Sequence, residues 1–152
     1  MILTSSWFTK LDPARYVRIG ISRGIPRGQS GYRRYPKLNP GPWFNSVAND
    51  EYRRRYYDEI LNPLDPGRVV AELHAMANNL NPVLLCWEPP TPGLPWCHRA
   101  LVSEWLFDTL GLEIFEVGKE SFGCGHAHPK LAPDFCMQGE FNLGDQPTRQ
   151  SR

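Results

Sequence analysis

The sequence predicts an α/β fold in which a mainly parallel sheet is flanked by helices and followed by a long irregular C-terminal tail. Segments with alternating apolar residues near the N-terminus are typical of half-buried strands. The continuous apolar run over residues 83–87 is typical of a central strand that is buried on both faces. A predicted helix and a further strand follow this run, and such a succession forms a parallel, right-handed βαβ unit.

The domain organisation follows from length and composition. The chain has 152 residues, which is the length of one domain. We expect an α/β core over residues 1–118. Residues 119–152 are rich in glycine and proline, and we expect them to form an irregular tail that contains Cys and His and packs on the same domain.

The first two predicted strands are residues 2–8 and 16–22. In the second of them, Val17, Ile19 and Ile21 alternate toward one face. Residues 23–43 form a long loop that is broken repeatedly by proline and glycine. Loops of this length in compact domains are usually functional or disordered, and the aromatic residues of this one favour order.

Two helices are predicted after this loop. Asn49 or Asp50 can cap the first, which runs to about residue 61. Asp65 caps the second, and Pro66 occupies the first helical position, where a missing N–H costs nothing. Apolar residues at helical spacing extend this second helix to about residue 80.

The predicted βαβ unit occupies the stretch from residue 83 to residue 117. Its first strand, residues 83–87, is followed by a proline-rich loop. A helix then leads from Trp96 to Leu110, and Gly111 is placed as its C-terminal cap. Residues 112–117 form the last predicted strand.

The net charge is only +1, but the basic residues are clustered. Between residues 10 and 37 the only acid is Asp12, and a second basic run covers residues 53–55. Such a positive field attracts phosphate-bearing partners, although arginine clusters are also common on solvated surfaces. The basic residues of the first cluster are Lys10, Arg15, Arg18, Arg23, Arg27, Arg33, Arg34 and Lys37.

The cellular setting predicted from the sequence is the cytoplasm. We find no signal peptide and no apolar run of membrane-spanning length, so we expect no membrane partner. In a reducing cytoplasm the four cysteines are expected to be thiols or metal ligands.

The candidate site lies at the carboxyl ends of the predicted strands, where open α/β sheets bind their ligands. A helix N-terminus follows there, and its partial positive charge binds anions and lowers the pKa of a cysteine. The catalytic candidates are Cys97 as nucleophile and His98 and Glu88 for acid–base chemistry. The ligand-binding candidates are Arg99, Ser22, Arg23, Cys86, Trp87, Tyr32 and Lys37.

Each of these residues also has a structural interpretation. Cys86 lies in an apolar strand and is typical of a small core residue, and Cys97 can serve in packing as well. Glu88 could cap the helix or pair with Arg99. His98 could be an exposed residue of the first helical turn.

The motifs around these residues resemble domain-of-unknown-function family 488. Residues 84–88 read L-L-C-x-E, and C-H-R at residues 97–99 follows before an aliphatic helix. The N-terminal segments, including Tyr35-Pro36-Lys37, resemble a compact branch of that family found in bacteriophage and bacterial genomes. The resemblance covers about the first two-thirds of the chain, and the loop between the motifs is longer and richer in proline here. It implies a Rossmann-like fold and a pocket near Cys86, Glu88 and residues 97–99, and no activity.

The tail offers a second candidate site. Two thiols and two imidazoles, the number that a structural zinc ion takes, lie close together at Cys124, His126, His128 and Cys136. The spacing is not that of a common zinc finger. The alternative is that the cysteines pack in the core and the histidines face solvent.

The function predicted from these features is an enzyme that acts on a phosphate-bearing nucleotide, nucleoside or nucleic acid at the start of the helix. The basic loop would hold phosphate, and aromatic residues such as Tyr32 and Trp87 would stack on a base. No Walker loop, G-x-G-x-x-G or G-x-S-x-G motif indicates a reaction. The alternatives are a non-catalytic module that binds nucleic acid or protein, related to phage or defence, and a thiol-based sensor.

Overall fold

The computed structural model describes residues 1–133 and shows one five-stranded sheet. The order across the sheet is β3-β2-β4-β1-β5, and every pair of neighbours is parallel. The α/β fold class is therefore confirmed. The strands are β1 (Leu3–Ser6), β2 (Tyr16–Gly20), β3 (Tyr32–Arg34), β4 (Asn81–Cys86) and β5 (Phe115–Glu116).

Three helices flank the sheet. They are α1 (Asn49–Arg55), α2 (Pro66–Ala77) and α3 (His98–Leu110). A π-helical turn, Tyr56–Leu61, continues α1 without a break. Short 3₁₀ turns occupy Pro36–Leu38, Glu120–Phe122 and Gly125–Ala127. None of these helices is both long and apolar enough to cross a membrane, within the residues described.

The two faces of the sheet are covered differently. On one face Ile19 and Leu84 pack against buried residues of all three helices. On the other face Val83 and Leu85 form a smaller cluster with Trp7 and with side chains from loops and neighbouring strands. Successive residues of β4 alternate between these two clusters, as the period of a strand requires. The prediction that this strand is buried on both faces is therefore confirmed.

The boundaries of α2 and α3 follow from capping. The Asp65 carboxylate accepts hydrogen bonds from the Gly67 and Arg68 amides, as predicted. The helix ends at Ala77, before the predicted end near residue 80, because Asn78 is left-handed with φ 50°. Gly111 closes α3 with φ 66°, a conformation that suits glycine.

The predicted cap of α1 is wrong. Asn49 and Asp50 lie inside the helix, and Ala48 is the N-cap without a side-chain bond. The Asn49 amide oxygen instead accepts a hydrogen bond of 2.9 Å from Trp96 Nε1. The Asn49 side chain, which was predicted to cap the helix, therefore makes a long-range hydrogen bond instead.

The loop over residues 23–43 and the described part of the tail are both ordered parts of this fold. The loop contains β3, a short edge strand that the sequence analysis did not predict. In the tail, Leu131 and Ala132 are buried in the main core. The Cys97 amide donates to the Lys130 carbonyl at 2.9 Å, so the tail also contacts the residue that precedes α3.

Candidate functional site

A cavity of about 500 Å³ lies where β2 and β4 end and α3 begins. Its wall includes Ser22 after β2, Cys86 and Glu88 around the end of β4, and Cys97 and His98 at the start of α3. Parallel strands bring their carboxyl ends to one edge of the sheet, which is why segments distant in sequence meet here. The volume is in the range of small-molecule sites.

Two thiols and one imidazole nitrogen meet in the wall of this cavity. His98 Nδ1 lies 3.6 Å from Cys86 Sγ and 3.9 Å from Cys97 Sγ. The ligand atoms of the three residues all lie within 4.8 Å of one another. Among the residues described, this is the group of His, Cys, Asp and Glu side chains whose geometry suits a metal ion.

The backbone fixes the tautomer of His98. Its Nε2 lies 2.9 Å from the Ile21 carbonyl oxygen, which can only accept a hydrogen bond. Nε2 therefore carries a proton, and Nδ1 is the ring nitrogen that faces both sulfurs. Tyr56 packs edge-on against the imidazole with ring centroids 5.4 Å apart, which holds the ring in this orientation.

The two thiols differ in their electrostatic surroundings. Burial raises the pKa of Cys86 well above its usual range, and interaction with Cys97 raises it further. Burial also acts to raise the pKa of Cys97. A hydrogen bond with Cys86, the positive charge of Arg99 and contact with His98 nevertheless hold that pKa well below its usual range. The surroundings of Cys97 therefore favour its thiolate form, whereas those of Cys86 favour its thiol form.

Glu88 lies beside the two thiols. Its Oε1 atom is buried and has no hydrogen-bond partner among the residues described. Burial, followed by the negative charge of Cys97, raises the pKa of this carboxyl to about 7. A carboxyl group with such a pKa exchanges protons readily near neutral pH.

Arg99 is fully buried and does not line the cavity. Its Nη2 lies 2.7 Å from Glu116 Oε2, its Nε lies 3.0 Å from Glu116 Oε1, and Nη2 also donates to the Glu88 carbonyl. The guanidinium therefore holds β5 and the chain after β4 together. The predicted contact of Arg99 with a phosphate group would have to displace this buried ion pair.

A buried hydrogen-bond network extends from this ion pair. The Lys130 amide donates to His128 Nδ1 at 3.1 Å, which places the ring proton on Nε2. Nε2 donates to Thr4 Oγ1 at 2.8 Å, and this hydroxyl donates to Glu116 Oε1 at 2.8 Å. The network joins β1, β5 and the tail directly behind the first turn of α3.

Three of the predicted ligand-binding residues, besides Cys86, line the cavity: Ser22, Arg23 and Trp87. Arg23 Nη1 donates to the Pro40 carbonyl at 3.1 Å, and Trp87 Nε1 donates to the Gly24 carbonyl at 3.0 Å. Besides Arg99, two further predicted ligand-binding residues lie outside the cavity. Tyr32 packs edge-on against Trp7, on the opposite face of the sheet, with ring centroids 5.2 Å apart. Lys37 forms an exposed ion pair with Glu72.

The predicted tail site is divided between two environments. His126 is bonded to Glu104 and Asp108 at the surface, whereas both ring nitrogens of His128 belong to the buried network. Cys124 is half-buried and forms an isolated bridge with Phe115. Cys136 lies outside the described residues, so the four-ligand zinc site in the tail stays a prediction.

Several residues that line the cavity were not predicted from the sequence. Among them are Phe44, Asn49, Tyr52 and Trp96. Asn49 and Tyr52 are three residues apart, so they share one face of α1, and this spacing is a signal that sequence reasoning could have used. Burial raises the pKa of Tyr52, so its hydroxyl remains a hydrogen-bond donor. Nothing in the sequence indicated that this helix faces the Cys97 region.

Comparisons with known proteins give no assignment for this arrangement. No protein-family model, curated protein or solved structure matches the chain. The resemblance to domain-of-unknown-function family 488 therefore stays a prediction that rests on residues 83–88 and 97–99.

Proposed function

We propose that the chain is a zinc-dependent hydrolytic enzyme. Cys86, Cys97 and His98 bind the ion, and Glu88 carries protons at the same site. The observation that supports this proposal is the convergence of two sulfurs and a correctly oriented imidazole nitrogen on the wall of a cavity. Three protein ligands and one open position are the usual arrangement of a catalytic zinc ion.

The distances between the donor atoms agree with a tetrahedral ion. Zn–S bonds of about 2.3 Å and Zn–N bonds of about 2.0 Å separate sulfur from nitrogen by roughly 3.6 Å. The two S–N separations here are 3.6 and 3.9 Å. The bond from His98 Nε2 to the Ile21 carbonyl supplies the outer hydrogen bond that zinc-ligating histidines nearly always make.

Glu88 has the position of a proton carrier. Zinc lowers the pKa of a bound water toward neutrality and so produces a hydroxide nucleophile. The buried Glu88 carboxylate lies beside the proposed ligands with Oε1 unpartnered, so it can accept the water proton and deliver it to a leaving group.

The geometry favours a ligand role for Cys97 over the nucleophile role predicted from the sequence. The Cys97 side chain is 3% exposed, and its sulfur faces the same imidazole nitrogen as that of Cys86. A nucleophile needs a free approach path for its substrate, whereas a metal ligand needs convergence with other donors.

Metal analysis of the purified protein tests this proposal. We expect one zinc ion per chain after loading and dialysis, and less than a tenth of that in the Cys97→Ser and His98→Gln variants. His74→Gln is the matched control, because it removes an exposed imidazole outside both candidate metal sites and should retain full zinc. Cobalt substitution provides a second measurement, since thiolate ligation gives a charge-transfer band. Wild-type protein that holds no zinc, or folded Cys97→Ser protein that holds as much as wild type, would overturn the proposal.

A further inference from the structure

We propose that the substrate is an amino-substituted aromatic nitrogen heterocycle that carries a phosphate group, as the base of a nucleotide does, and that the enzyme replaces the amino group by oxygen. This inference rests on the zinc-dependent function proposed above. It follows from the aromatic wall of the cavity, a cation at its rim and the position of Glu88 beside the metal ligands.

Aromatic side chains from separate segments surround the cavity. Phe44, Tyr52, Trp87 and Trp96 all contribute to its wall. Tyr52 and Trp96 pack edge-on with ring centroids 4.8 Å apart, so each ring orients the other. Trp87 is 45% exposed and lies at the mouth of the cavity. Planar bases stack on such rings, and each stacked base contributes about 1–3 kcal/mol.

Polar groups in this wall are few and suit the edge of a heterocycle. Beyond the proposed metal ligands, the wall offers the Glu88 carboxyl, the Asn49 amide and the Tyr52 hydroxyl. In an apolar pocket, a few such groups fix the orientation of a ligand. Glu88 can exchange a proton with a ring nitrogen when the adjacent ring carbon faces the metal.

Arg23 is the cation that can bind the phosphate. Its side chain is exposed at the rim of the cavity. Nη1 donates a hydrogen bond to the Pro40 carbonyl, and the guanidinium lies 6.0 Å from the centre of the Phe44 ring. Within residues 1–133 it makes no ion pair with an acid. Arg99, by contrast, is already bonded to Glu116 and does not reach the cavity.

The proposed reaction consumes water and needs no oxidant or reductant. A zinc ion held by Cys86, Cys97 and His98 would supply a hydroxide nucleophile. The water oxygen would form a C–O bond to the ring carbon that bears the amino group, while Glu88 would transfer the water proton to the neighbouring ring nitrogen. The C–N bond then breaks, the departing nitrogen receives the remaining proton, and ammonia leaves behind a carbonyl group. In zinc enzymes that deaminate bases, two cysteines and one histidine can bind the ion, and a glutamate that is not a ligand transfers protons.

Ammonia release and ligand binding, measured on zinc-loaded protein of known metal content, test this inference. The probes are cytidine and adenosine 5′-monophosphates, the corresponding nucleosides, and single-stranded oligonucleotides that contain one such base. We expect ammonia release from at least one phosphate-bearing probe and quenching of tryptophan fluorescence on binding. Comparison of the mononucleotides with the oligonucleotides shows whether the substrate is a free nucleotide or a base within a nucleic acid.

Variants separate the roles of the residues. Glu88→Gln should retain zinc and binding and lose ammonia release by about 100-fold or more. Arg23→Ala should lower the affinity for the phosphate-bearing probe about tenfold without changing the affinity for the nucleoside. The control is Arg27→Ala, which removes another exposed arginine. Zinc-loaded protein that binds none of the probes and releases no ammonia would overturn this inference and leave the zinc site standing. Protein without zinc would overturn the proposed function first.

Discussion

His128 is a buried histidine whose charge state contributes to stability. Burial, followed by the positive charge of Arg99, lowers its pKa from 6.5 to about 3. The groups that act on it are Thr4 on β1 and Glu116 on β5, together with the charged groups of Arg99, Cys97 and Lys130. The folded protein therefore holds this ring neutral at a pH where the unfolded chain protonates it.

The resulting pH dependence has a definite sign. Between pH 6.5 and about 3 the unfolded state binds one more proton than the folded state, so acid favours unfolding. The contribution of His128 to the free energy of unfolding is fully present above pH 6.5. Below pH 6.5 this contribution falls by about 1.4 kcal/mol per pH unit. We expect the stability difference between wild type and His128→Gln to shrink in this window. Urea unfolding at several pH values measures it, and a constant difference would contradict the assignment.

The set of site residues could be predicted from the sequence, but their contacts could not. The order of residues 86–88 and 97–99 around a predicted βαβ crossover places them at one sheet edge, so their proximity was predictable. The partner of Arg99 was not, because Glu116 is on an edge strand whose position depends on the sheet order. The hydrogen bonds of His128 with Thr4 and Lys130 were not predictable either, because they too depend on how distant segments pack.

The segment from His128 to Leu131 supports the start of α3 and the proline-rich loop before it. Lys130 is fully buried, and its Nζ donates to the Thr91 carbonyl at 2.6 Å. The Gly93 amide donates to the Pro129 carbonyl at 3.0 Å. Through these bonds and the one from the Cys97 amide, the segment joins the loop to the residue before the helix.

Lys130→Met should loosen this loop without emptying the core. Methionine replaces most of the side-chain volume but cannot donate to the Thr91 carbonyl, and a hydrogen bond from a charged group contributes about 1.5–3 kcal/mol. We expect hydrogen exchange of the Gly93 amide to accelerate about tenfold. Lys37→Met, which removes an exposed lysine, is the control and should leave this rate unchanged. Equal rates in wild type and Lys130→Met would exclude the supporting role.

The helices and the longer strands were predictable from the sequence, and the short irregular elements were not. Asp65 and Gly111 mark helix ends through local chemistry, which sequence alone contains. The three residues of β3 form a strand because β2 offers a free edge. The π-helical turn after α1 likewise has no local signal that we identified.

The proposed metal site joins the central sheet to helix α3. Cys86 ends a strand of the sheet, whereas Cys97 and His98 begin the helix that packs on it. A ligand that binds the folded state alone stabilises it, by about 2.7 kcal/mol at a concentration 100 times its Kd.

Zinc should therefore raise the midpoint of thermal unfolding of the wild-type protein, and a chelator should lower it. The His74→Gln variant should respond as the wild type does, because its imidazole lies outside the group of donor atoms. Cys97→Ser should show no dependence on either addition. Calorimetry of the three proteins measures the effect, and a zinc-dependent midpoint in Cys97→Ser would argue against the site.

The position of β4 between β1 and β2 also determines when the chain can fold during synthesis. The first two strands have no pairing with each other, and each hydrogen-bonds to a strand made some sixty or more residues later, as Leu3 with Val83 and Gly20 with Leu85 show. Such distant pairings make folding slow, because loop closure precedes any gain from contacts. The N-terminal segment therefore leaves the ribosome with the edges of β1 and β2 that pair with β4 still unpaired, so these edges are exposed to chaperones and to misassociation until residues 81–86 emerge.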